Sequence, residues 1–163
     1  MILKEEVDIL KAREKFDEMV AMIEKAVTAA ERIDRVEQDL WERLLQLGHT
    51  LLRGYVNAQG TGDLGPTLEY EGQQLNRLNE LYYRRYVSIF GELLIGRMAY
   101  GTRATQKLQV LPLDSRLGLP ESEFSNLLQN WDQSLCVQGS YSESRQTVPF
   151  LQDCRTRMKF LSR

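Results

Sequence analysis

Six basic side chains in the middle of the chain, Arg77, Arg84, Arg85, Arg97, Arg103 and Lys107, have the types and spacing to bind phosphate. Between residues 74 and 108 only Glu80 and Glu92 oppose them, a local balance of +4 in a 163-residue chain whose net charge is −2. A guanidinium presents forked donors that match phosphate oxygens, and Tyr82, Tyr86 and Tyr100 lie close enough in sequence to pack beside them. The central string YRRYVSIFGELLIGRMAY, residues 83–100, reads as two strands around a turn set by Gly91. On such a hairpin Arg85 falls on one face and Arg84 on the other, because side chains alternate along a strand. A two-stranded ribbon of this kind can enter a DNA groove or lie along phosphates. The competing reading is that the arginines only solvate the outside of a small sheet.

Other candidate chemistry is thin. Gly60, Gly62 and Gly65 spell G-x-G-x-x-G, but that fingerprint holds a pyrophosphate only between a strand and a helix. Here it follows a helical pattern and runs into Pro66, so a flexible hinge is expected. His49 is the single histidine and lies on a helical face, and Cys136 and Cys154 lack the close pairing of a zinc site. A catalytic cysteine would also need a spare histidine as base. Asp114, in PLDSRLGLP, is expected to form a turn or cap a helix. No catalytic residue, metal site, cofactor or small-molecule substrate is expected.

The elements that must position the arginines follow from period and punctuation. From Lys4 to Val56 apolar residues recur at helical spacing, among them Phe16, Met19, Ile23, Val27, Leu40, Leu44, Leu47, Leu51 and Tyr55. The first 57 residues hold nine Lys or Arg against twelve Asp or Glu, and no proline. They are expected to form one long helix or a helical hairpin, burying its stripe against another helix, which could come from a second copy. Residues 58–81 are expected to be a glycine-rich hinge and connecting segment, and 82–148 a β-hairpin plus helix module. Within that module Pro112 and Pro120 punctuate an extended connector. Ser122 or the Pro120-Glu121 pair can then start a helix carrying Phe124, Leu127, Leu128 and Trp131. A further short helix is expected from Tyr141 to Val148, and residues 149–163 form a basic tail. The fold class is α+β, mainly α. The acidic start and short apolar runs fit neither a signal peptide nor a membrane span, and two lone cysteines fit a reduced, cytoplasmic setting.

Four strings occur in order: Arg84-Arg85-Tyr86-Val87-Ser88-Ile89-Phe90-Gly91-Glu92 with Arg97 and Tyr100, then Leu111-Pro112-Leu113-Asp114, then Leu117-Gly118-Leu119-Pro120, then Phe124-Ser125 with Leu127-Leu128-Gln129-Asn130-Trp131. Together they resemble the N-terminal region of the ISKra-type family of insertion-sequence transposases, over roughly residues 40–148. The resemblance implies DNA, at the element ends, as partner, and self-association through the helical arm. Full-length members continue into a metal-dependent catalytic domain whose carboxylates bind magnesium for strand transfer. No position here matches those carboxylates, and PFLQDCRTRMKFLSR departs from the family pattern. The expectation is therefore a truncated N-terminal piece, not an enzyme on its own. The alternative is a helical protein-interaction module without DNA contact.

Overall fold

The computed structural model describes residues 4–102 and 110–138; Arg103, Lys107, Cys154, the expected 141–148 helix and the basic tail lie outside them. The chain is α+β and mainly helical, as its periodicities predict. It divides into two units, Met1–Gly60 and Thr61–Arg163.

The first unit is a hairpin of helix α1 (Lys4–Ala29) and helix α2 (Ile33–Ala58). Ala30 takes the left-handed conformation, φ 48, and the Glu31 amide reaches back to the Ala26 carbonyl at 3.0 Å. That is the six-to-one bond of a Schellman stop. With alanine in the place usually held by glycine, the sequence left one helix or two open. Asp8, Ala12, Lys15, Met19, Met22 and Ala26 form the α1 seam, recurring at alternating steps of four and three and all buried or half-buried. The α2 seam repeats this at Val36, Leu40, Arg43, Leu47, Thr50 and Gly54. The expected stripe is only partly this seam: Met19, Leu40 and Leu47 belong to it, whereas Phe16, Val27, Leu44, Leu51 and Tyr55 are exposed. The helices approach closely at Gly54, where a Cβ would stand 3.2 Å from that of Asp8.

Asp8 closes the open end of the hairpin. Its Oδ1 accepts from Arg53 Nε at 3.1 Å and Nη2 at 2.7 Å, and its Oδ2 accepts from Asn57 at 2.7 Å.

The second unit is an antiparallel meander of β1 (Thr67–Tyr70), β2 (Gln73–Ser88) and β3 (Gly91–Gly101), in that order across the sheet. Glu71 and Gly72 both take positive φ, 50 and 74, as a two-residue turn matched to strand twist requires. The second turn is Ile89-Phe90, with Ser88 paired to Gly91. Gly91, φ 124, thus opens the return strand instead of sitting at the centre of the turn. The Ser88 hydroxyl fixes this turn, accepting from the Phe90 amide at 3.1 Å and donating to the Gly91 carbonyl at 3.0 Å. A register shift between Arg77 and Leu81 bulges β2 against β3.

Three expectations change here. The 58–81 segment carries β1 and the start of β2, and its loop is tied down at Thr61 and Gly62. The Thr61 carbonyl accepts from the Met98 amide at 2.7 Å, and a Cβ on Gly62 would lie 2.8 Å from the Leu113 nitrogen. Residues Pro112–Leu117 are a short helix, α3, and not an extended connector; Pro112 suits the first turn, where its missing N–H costs nothing. The last described helix, α4 (Asn126–Gln138), starts after Ser125, whose Oγ accepts from the Leu128 amide at 3.1 Å; Ser122 and Glu121 lie outside it.

Two stretches of strand that lack a neighbouring strand are paired by other segments, as exposed edges invite mispairing. Val110 exchanges bonds with Tyr100 at 2.9 and 3.2 Å on the β3 edge. On the β2 edge Val87 donates to Glu123 at 2.8 Å and accepts from Ser125 at 2.9 Å. The core of this unit comprises Leu75, Leu78, Val87, Leu93, Ile95, Ala99, Tyr100, Leu113 and Leu128. No described helix is long and apolar enough to cross a membrane.

The Asp8 clip makes the hairpin acid-sensitive. Burial pushes the carboxyl up, but hydrogen bonds from Arg53 and Asn57 and the charges of Arg53 and Lys11 outweigh it, leaving Asp8 below its usual range. A depressed folded-state value gives stability that is complete above the unfolded carboxylate pKa, about 3.9, and is lost as pH falls through the folded value. Helical unfolding of Asp8→Asn should therefore lose stability relative to the parent at pH 7 and converge with it below about pH 4. A gap that stays constant to pH 2 would refute the clip.

Candidate functional site

The β2–β3 register decides which arginines turn inward. Tyr82 pairs with Arg97, Arg84 with Ile95 and Tyr86 with Leu93, so these six side chains share one face. On β3 that face is buried at Leu93, Ile95, Arg97 and Ala99. Arg84 and Arg97 are thus neighbours on the core side, beneath α3. Leu113, fully buried, seats α3 there, and Gly62 makes room for it.

Asp114 meets both guanidiniums. Its Oδ2 accepts from Arg97 Nη1 at 2.5 Å and from Arg84 Nη1 at 3.3 Å. Arg84 Nη2 also donates to the Ser122 carbonyl at 2.6 Å and to that of Pro120, while Arg97 Nε points to the Tyr82 carbonyl at 3.5 Å. The side chains of Arg97, Arg84 and Asp114 are only 11%, 15% and 20% exposed. Two positive charges share one negative charge, and Asp114 Oδ1 is buried with no hydrogen-bond partner in the described structure. What this arrangement does is mechanical. Two arginines on different strands hold α3 and the Pro120–Ser122 strand of backbone against the sheet.

Arg85 lies on the opposite face and joins two carboxylates. Its Nε is 2.9 Å from Glu92, and its Nη1 is 2.9 Å from Glu123. The hydrogen bond that Arg85 donates to Glu92 raises its pKa above the usual value; partial burial lowers it, and Glu123 reinforces the rise. Arg77 bridges to Asp63 at 2.6 Å. Asp63 is held below its usual range, first by the Gly65 amide at 2.9 Å and then, against some desolvation, by the Arg77 charge. Both arginines are 41% exposed, so each guanidinium reaches water as well as its partner.

The structure therefore separates the predicted site. Arg84 and Arg97 come together on the inside; Arg85 and Arg77 stand at the surface. Arg103 and Lys107 lie outside the described residues. Tyr82 lies opposite Arg97 and Tyr86 shares the face of Arg84, whereas Tyr100 is a buried anchor. Its hydroxyl accepts from the Leu64 amide at 2.7 Å and lies 2.8 Å from the Gly65 carbonyl, tying down the loop once expected to hinge. Asp114 is the residue that sequence reasoning misplaced: it pairs with arginines 30 and 17 residues earlier instead of capping its own helix. Its place in PLD gave no sign of that pairing. His49 is half-buried on α2. Among the described residues no three His, Cys, Asp or Glu side chains gather as a metal-holding group.

Removing one partner of a largely buried ion pair strands the other, costing about 3–5 kcal/mol in fully buried cases. For the partly exposed Asp114, Asp114→Asn should cost about 2–3 kcal/mol in urea unfolding of the full chain. Arg85→Ala, at a solvent-screened pair, should cost at most about 1 kcal/mol. Equal losses at the two positions would contradict the inside–outside division. Comparison with family models, curated proteins and solved structures finds no match to the chain.

Proposed function

We propose that the chain is a non-catalytic DNA-binding and assembly module of a DNA transposase, resembling the N-terminal region of the ISKra type. One observation supports this reading above others: the four motif strings belong to a single module. Arg84 and Arg97 from the first meet Asp114 from the second, Arg84 reaches Pro120 of the third, and Ser125 of the fourth both caps α4 and pairs with Val87. Residues scattered over some forty positions thus act together, as a family motif would.

In this reading Arg84 and Arg97 build the module. Arg77 and Arg85 supply the outward charge, with Arg103 and Lys107 as further phosphate contacts. DNA phosphates would compete with Asp63, Glu92 and Glu123 for the exposed guanidiniums. The helical hairpin holds transposase copies together. A second reading, an interaction module without DNA contact, is favoured by the fact that Arg77, Arg84, Arg85 and Arg97 each already have a carboxylate partner.

Salt titration separates the two. Each phosphate neutralised on duplex DNA adds about 0.9 to the slope of log affinity against log salt. The double variant Arg77→Ala, Arg85→Ala should stay folded, bind element-end DNA more weakly and flatten that slope by almost two units. No salt-dependent binding, or an unchanged slope in the variant, would leave the interaction reading standing. The purified chain should also show no strand cleavage with magnesium or manganese. Nicking lost on mutating one of its own acids would overturn the non-catalytic assignment.

A further inference from the structure

Arg84 and Arg85 stand on opposite faces of β2, and one stretch of chain grips both. On the inner face Arg84 holds the Ser122 carbonyl at 2.6 Å and that of Pro120. The chain then reaches the β2 edge, where the Val87 amide donates to the Glu123 carbonyl at 2.8 Å and the Ser125 amide to the Val87 carbonyl at 2.9 Å. This puts the Glu123 side chain on the outer face, with both oxygens 2.9 Å from Arg85 Nη1. Glu92, opposite Val87 on β3, meets Arg85 Nε at 2.9 Å. Among the described residues no bond uses Arg85 Nη2, and the Glu123 carboxylate has no partner besides Arg85.

One positive charge therefore lies between two negative ones, a local balance of −1, and a phosphate approaching Nη2 meets both carboxylates at short range. Like charges at such separations repel. Arg77 presents no such barrier. Its partner Asp63 leaves the pair neutral, and the Gly65 amide at 2.9 Å and the Tyr100 hydroxyl at 3.3 Å fix that carboxylate in its loop. Glu123 is movable instead. Its side chain is 40% exposed while its backbone is held by the Val87 bond, so the carboxylate can turn into water without loosening the segment.

We propose that Glu123 is an autoinhibitory gate on Arg85. With its carboxylate on the guanidinium, phosphate is kept off. With the carboxylate turned into water, Arg85 and Glu92 balance each other, and Nη1 and Nη2 present a fork to phosphate oxygens. The inference rests on the DNA reading of the proposed function and adds a restraint on one of its contacts. It also gives the two outward arginines different parts: Arg77 is open to DNA in the free protein, and Arg85 is admitted only by displacing Glu123.

Affinity of the full chain for a random-sequence duplex DNA tests this, since phosphate contacts carry no base sequence. At about 0.15 M salt, where charges act over about 8 Å, Glu123→Gln should tighten binding about three- to fivefold. Glu123→Ala should do the same, and two substitutions of different size keep the comparison open where one disturbs folding. Glu80→Gln, at an exposed acid of the same strand, should change affinity less than about 1.5-fold. In an Arg85→Ala background Glu123→Gln should lose its gain. A gain of equal size without Arg85 would mark plain repulsion of DNA and overturn the gate alone. Unchanged affinity in both Glu123 variants of a parent that binds would do the same. No salt-dependent binding by the parent or by either Glu123 variant would overturn the DNA reading, and the gate with it.

Discussion

The carboxylate of Asp114 answers for two guanidiniums that the sheet has turned away from water. Strand alternation puts Arg84 and Arg97 on the core face, where leaving a cation without its counter-charge is among the larger single penalties a small domain can incur. Everything else in the second unit is arranged to deliver that carboxylate. Gly62 leaves space for Leu113, Pro112 starts α3, and Gly118 ends it in the left-handed conformation. The Pro120 and Ser122 carbonyls then take up the remaining Arg84 donors, and the chain proceeds directly to the Glu123–Ser125 segment that covers the β2 edge.

This dependence changes the meaning of an arginine-rich string. Four described arginines lie within about twenty residues of one another, yet they do two different jobs. The inward pair is stoichiometrically tied to one acid, whereas Arg85 and Arg77 hold theirs at the surface, where solvent weakens the attachment. A charge count over the segment cannot distinguish them. Their pairing partners can, and those partners come from distant parts of the chain.

The legible part of the fold was whatever a local period or a strong breaker could encode. The helical run, the strand pair around Gly91 and the helix with Leu128 all carried such signals. The choice of seam on the first hairpin did not, because α1 and α2 carry apolar residues on adjacent stripes and the contact between the helices, close at Gly54 and Asp8, decides between them. β1 and the first half of β2 were hidden for another reason. Residues such as Gln73, Gln74 and Asn76 are exposed, so TLEY and QQLNRLNE lack the alternation that marks a strand, and pairing with neighbours supplies what propensity does not. The arginine cluster was half-visible: alternation separated Arg84 from Arg85, but nothing local said which side was the interior. That is settled by Asp114, whose own neighbourhood reads as an ordinary turn.

The order in which the pieces leave the ribosome gives the Asp114 link a further consequence. Both inward arginines are translated before their acid, Arg84 by 30 residues and Arg97 by 17. A nascent chain that has completed all three strands still has two guanidiniums facing a core with no counter-ion and an uncovered β2 edge. The helical hairpin, whose Asp8 clip closes by Asn57, has no such debt to later sequence. Vectorial synthesis therefore produces the two units at different times, with the first able to close alone while the sheet waits for α3 to emerge.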